Sequence, residues 1–117
     1  MIAIDFHDAS GAMPKLKNIY KIDLNAEPNQ SFDVYIRDYI FQITLRTYTD
    51  NNTVINIRYN GELIVKDAIS SLLNVNLNYL STFDKGVFFF AKNNDKILEA
   101  YNFTSFDKGV GLYYGDL

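Results

Sequence analysis

Between Phe32 and Val65 apolar and polar residues alternate with a period of two, and this constrains the fold more than any other feature of the chain. Successive side chains leave a strand on opposite faces, so the period demands a sheet with one buried and one wet face. Phe32, Val34 and Ile36 share a face of the first segment. Tyr39, Phe41, Ile43 and Leu45 share a face of the next, opposite Gln42, Thr44 and Arg46. Only Arg37-Asp38 separates the two runs, which predicts a hairpin. After a turn at Asp50-Asn51-Asn52, a strand over Thr53 to Tyr59 should point Ile55, Ile57 and Tyr59 inward. Asn60-Gly61 then supplies two residues that tolerate the positive φ of a type I′ turn, and Leu63 and Val65 continue the sheet.

Outside this block the pattern is looser. Lys17 to Leu24 reads as a strand with Ile22 and Leu24 on one face, followed by a turn around Pro28. Asp67 to Leu73 fits a single helical turn with Asp67 as its cap. Asn74 to Leu80 alternates asparagine with Val75, Leu77 and Tyr79, as a strand or an extended segment would. Val87 to Lys92, Lys96 to Tyr101 and Val110 to Tyr114 are the remaining strands. The expected fold is all-β: one small antiparallel β-sandwich or β-barrel of about 7–9 short strands, with at most one short helix. Residues 1–16 read as an N-terminal arm, either ordered against a partner or forming a plain first strand, and residues 17–117 as the β domain.

Composition sets the outer limits. A chain of 117 residues with 48% apolar content can bury a core without staples. With no cysteine, disulfides, thiol catalysis and cysteine-bound zinc are excluded. The net charge of −3 and the lack of any lysine or arginine run argue against a nucleic-acid partner. No apolar run is long enough for a membrane helix. The start Met1-Ile2-Ala3-Ile4-Asp5 has no basic region and does not read as a secretory signal, so synthesis in a cytoplasm is expected.

Chemistry is scarce. His7, between Asp5 and Asp8, is the lone histidine: a metal would need further ligands from elsewhere in the chain, and any serine triad would depend on this one residue. There is no phosphate loop and no nucleophile elbow. Asp84, Asp95, Glu99 and Asp107 could supply a carboxylate pair, but so short a chain of strands leaves little room for a cleft. No enzymatic activity, cofactor or metal is expected.

Contact surfaces are the better candidates. In Phe88-Phe89-Phe90, Phe88 and Phe90 share a face with Lys92, and Phe89 shares the other with Val87 and Ala91. Both faces are apolar, so the strand lies between two layers or meets another chain. The paired Phe88 and Phe90 carry more area and suit the core, leaving Phe89 as the interface candidate. Tyr113 and Tyr114 on the closing strand are candidates for the same reason. Pro28, Asn29 and Gln30 complete the set: their amides suit hydrogen bonds to backbone at the start of the Phe32 strand, with contact as a secondary role. The echo of Phe83-Asp84-Lys85-Gly86-Val87 in Phe106-Asp107-Lys108-Gly109-Val110 reads as two similar strand beginnings rather than a duplicated ligand loop.

The order Pro28-Asn29-Gln30, then Phe32, Val34 and Ile36, then Tyr39-Ile40-Phe41-Gln42-Ile43-Thr44-Leu45-Arg46 resembles the phage baseplate plug family, typified by a cyanophage with a simple contractile tail. The resemblance continues through Ile55-Asn56-Ile57, Gly61-Glu62-Leu63-Ile64-Val65, Leu72-Leu73, Leu77 to Leu80, Phe106-Asp107, Gly109-Val110 and Leu112-Tyr113, and so covers residues 18–117. Many members carry a tryptophan near the third strand, where this chain has Thr53-Val54. The resemblance implies a non-enzymatic virion protein at the baseplate centre, in contact with the hub, the tail-tube tip and the tape-measure protein, closing the lumen until the tail fires. It also allows a homotrimer in the assembled baseplate. Two other readings remain: another tail or hub adaptor, and a carbohydrate-binding β module using Tyr35, Tyr48 or Tyr114.

Overall fold

A computed structural model describes residues 13–48, 52–93 and 103–117. Its seven strands are β1 (Ile19–Ile22), β2 (Gln30–Ile36), β3 (Tyr39–Thr47), β4 (Thr53–Tyr59), β5 (Glu62–Ile69), β6 (Gly86–Lys92) and β7 (Val110–Asp116). They form two antiparallel sheets, β2-β3-β4-β5 and β1-β7-β6, stacked as an open sandwich rather than closed into a barrel.

The larger sheet is the period-two block. In the β2–β3 hairpin Ile36 pairs with Tyr39 and the register runs evenly to Gln30 opposite Leu45. Arg37 adopts a left-handed backbone (φ 54°) to make the turn. Asn60 (φ 52°) and Gly61 (φ 79°) do the same between β4 and β5, as a type I′ turn requires. The inward faces of β3 and β4 bury Phe41, Ile43, Leu45, Ile55 and Ile57 completely.

The smaller sheet supplies the opposing layer through Ile22, Phe88, Phe90, Leu112 and Tyr114, all in one cluster with the residues above. Phe41 and Phe88 join the layers edge to face, with ring centroids 4.8 Å apart. Tyr114 packs at 5.0 Å from Phe88 and 5.5 Å from Phe41. A polar tie crosses the same gap: the Arg37 guanidinium bonds the Asp116 carboxylate and donates through Nε to the Tyr20 hydroxyl at 3.2 Å.

Four expectations need correction or fall outside the described residues. No helical turn forms over Asp67 to Leu73. β5 runs on to Ile69, and Asp67 takes φ 48° at a register shift against β4. There Asn56 replaces the missing ladder bonds: its Oδ1 accepts from Asp67 N at 2.9 Å and its Nδ2 donates to Asp67 Oδ1 at 3.1 Å. A side chain that satisfies a bulged backbone removes the need for the cap the sequence suggested. Leu73 makes an isolated parallel bridge to Phe90, and Asn74 to Leu80 then turns, so it forms no strand. Lys96 to Tyr101 and the Asp50-Asn51 turn lie outside the described residues. A short 3-10 turn covers Phe103–Ser105.

Candidate interface surfaces

The Pro28-Asn29-Gln30 segment bends the chain into β2. Gln30 clamps the loop before it: Oε1 accepts from Asn25 N at 3.1 Å, and Nε2 donates to Asn25 O at 2.7 Å. Asn29 Oδ1 accepts from Thr47 N at 3.2 Å, and the Thr47 hydroxyl donates to Pro28 O at 2.7 Å. The triplet therefore ties the start of β2 to the end of β3 through side-chain bonds to backbone. Pro28 and Asn29 are still exposed, so the segment offers a surface as well as a brace.

The aromatic strand β6 separates as its alternation dictates. Phe88 and Phe90 are fully buried between the sheets. Phe89 lies on the other face of the small sheet in a second cluster with Met13 and Val87, flanked by Leu16, Ala91 and Tyr113. Its cover comes from this chain: residues just before β1 fold over the sheet and leave Phe89 only 6% exposed. Leu16 packs against Gly115, where any side chain would collide with it. Tyr113 stacks on Phe89 at 5.6 Å and bonds Asn93 through its hydroxyl, which leaves it partly exposed.

Phe89, already covered by its own chain, is one point of correction among these residues, and Tyr114 is the other. Alternation sends it inward, opposite to Tyr113, and it is fully buried. It cannot offer a surface to a partner or to a sugar while the sandwich is intact. Burial pushes its phenol well above the ordinary tyrosine range, and the negative charge of Asp116 adds to the rise. Its hydroxyl finds no hydrogen-bond partner among the described residues. Tyr35 and Tyr48 are exposed, at 71% and 56%.

The strand-start echo has a structural origin. Gly86 begins β6 directly after Asp84-Lys85, and Val110 begins β7 one residue beyond Asp107-Lys108. Gly86 is closed to side chains by the Tyr114 ring above it, not by a positive φ. In the second copy the left-handed residue is Asp107 (φ 61°), whose carboxylate accepts from Leu24 N at 3.2 Å and sits 3.6 Å from the Lys21 ammonium. Asp107 is thus a clip between β1 and β7. Asp95, Glu99 and His7 lie outside the described residues. No group of three or more potential metal-ligating side chains exists among the described residues.

One surface had not been singled out by sequence reasoning. An apolar groove of about 380 Å³ runs between β5 and the 72–81 segment, lined by Leu63, Ile64, Ala68, Leu72, Leu77 and Leu80 among others. Leu80 is 84% exposed and Leu72 46%. The signal was present in the sequence as Leu72-Leu73 and Leu77 to Leu80, but without a helix or strand period it pointed to no particular face.

The family model described as cyanophage baseplate Pam3 plug gp18 matches residues 19–117. The match begins where β1 begins and takes in both sheets. No curated protein matches the chain.

Proposed function

Because the chain belongs to the cyanophage baseplate plug family, whose members are structural parts of a phage tail, we propose that it closes the lumen of the hub and tail tube in a contractile baseplate. The observation that carries this reading is the family match across the whole sandwich. The surface supports it: exposed Leu72, Tyr79 and Leu80 around the β5 groove form an apolar patch of the kind that meets other proteins. The partners in this reading are the hub, the tail-tube tip and the end of the tape-measure protein, with the chain made in the host cytoplasm and carried in the virion.

The test compares a phage that encodes this chain with a derivative from which its gene is deleted. Tails that assemble without it should leave the lumen open and lose packaged DNA to an external nuclease before contact with a host. Deletion tails as nuclease-resistant as the wild type contradict the closing role.

A further inference from the structure

The edges of the two sheets are not equally protected. The outer edge of β6 is occupied by this chain: Asn74 N donates to Phe90 O at 2.7 Å, Leu77 N to Phe88 O at 2.9 Å, and the Asn78 side chain bonds both Gly86 O and Phe88 N. The edge of β5 is broken by register shifts and carries Lys66, two devices that discourage pairing. β1 has only four residues. The outer edge of β2 is different: seven residues long, in even register, with no proline, glycine or lysine.

The register fixes which of its backbone groups are spare. Ile36 and Tyr39 flank a two-residue turn, so they form a bonded pair, and alternation makes Val34–Phe41 and Phe32–Ile43 bonded pairs too. Ser31, Asp33 and Tyr35 fall at the positions between. Their N–H and C=O groups point away from β3, and no described residue bonds them. The close approach of the Ser31 and Thr44 hydroxyls, at 3.2 Å, is what such a pair allows. Beside this edge Phe32 and Val34 are only half-buried on the inner face.

We propose that the β2 edge docks an extended strand of another protein, apolar toward Phe32 and Val34, with a basic residue opposite Asp33. Asp33 is exposed at the middle of the edge, with no cation paired to it among the described residues. The charge also argues against a second copy of this chain. The antiparallel register that pairs all of Gln30–Ile36 with all of a second Gln30–Ile36 puts Asp33 on Asp33, and like charges directly opposite are unfavourable. The inference is independent of lumen closure, since it specifies the chemistry of the partner strand and not its place in the tail.

Hydrogen-exchange NMR on the full chain tests it, with a synthetic peptide that alternates valine and threonine around a central lysine. In the free chain the Ser31, Asp33 and Tyr35 amides should exchange fast while Phe32 and Val34 stay protected, the latter pair reporting that the hairpin is intact. Peptide at millimolar concentration should slow those three amides at least about tenfold, as added ladder bonds would. Asp33→Lys should weaken binding up to about fivefold and shift preference to a glutamate-centred peptide. Unchanged amides overturn the proposal. Protection already present in the free chain that grows with its concentration overturns it in favour of self-pairing.

Discussion

A methyl group on Gly86 would stand inside the phenol ring of Tyr114, which is itself fully buried beneath Phe41, Phe83 and Phe88. The first residue of β6 is therefore chosen by a side chain on β7. Gly86→Ala should destabilise by about 1–3 kcal/mol, because the ring has no free space to retreat into. Urea unfolding of the two proteins measures this, and equal midpoints would mean that the Tyr114 ring moves aside at little cost.

The same phenol gives the fold an alkaline limit. Its pKa is raised, so the folded state holds the proton more tightly than the unfolded chain. The stability from this difference is complete below the ordinary tyrosine value near about 10 and is lost as pH rises beyond it. Tyr114→Phe removes both the ionisation and a buried hydroxyl that has no partner among the described residues. It should be about 1 kcal/mol more stable at neutral pH. Its melting temperature should also fall less steeply between about pH 9 and 11.5 than that of the parent. A melting temperature of Tyr114→Phe well below the parent at neutral pH would show that the hydroxyl is bonded.

Gln30 and Asn29 should not contribute equally. Gln30 closes two bonds on Asn25, whereas Asn29 makes one exposed bond to Thr47. Gln30→Ala should cost about 1 kcal/mol and Asn29→Ala about 0.5 kcal/mol. Thermal melts of the two variants rank them, and the reverse order would place the anchor of β2 at Thr47.

The three phenylalanines of β6 divide into two classes. Phe88→Ala and Phe90→Ala each open a cavity in the main core and should cost about 3–5 kcal/mol. Phe89→Ala should cost less and should couple to Met13→Ala, because the two side chains cover one another. A double-mutant cycle should give a coupling of at least about 0.5 kcal/mol. Additive effects would mean that Met13 does not cover Phe89 in solution.

What was legible in the sequence follows the strength of the period. β2 to β5 and the turns at Arg37-Asp38 and Asn60-Gly61 could be read because one face is buried and the other wet, and Asn60-Gly61 sets the start of the β4–β5 register. The division of Phe88 and Phe90 from Phe89 was legible on the same ground. The bulge at Asp67 was not, since an aspartate before an apolar run reads as a helix cap until Asn56 is placed beside it by the β4–β5 register. Nor was the cover over Phe89: it depends on a notch at Gly115 that receives Leu16 from the far end of the chain. Tyr113 and Tyr114 are adjacent in sequence, and only the strand's face decides that one is partly exposed and the other buried.

Cryo-electron microscopy of tails from a phage encoding the chain would show whether this sandwich is a structural plug of the baseplate. Density for two stacked sheets of three and four strands is expected at the baseplate end of the tail lumen, with Tyr114 buried between them and the β5 groove against a neighbouring protein. Baseplate density fully accounted for by other proteins, in tails whose mass spectra lack this chain, would contradict it.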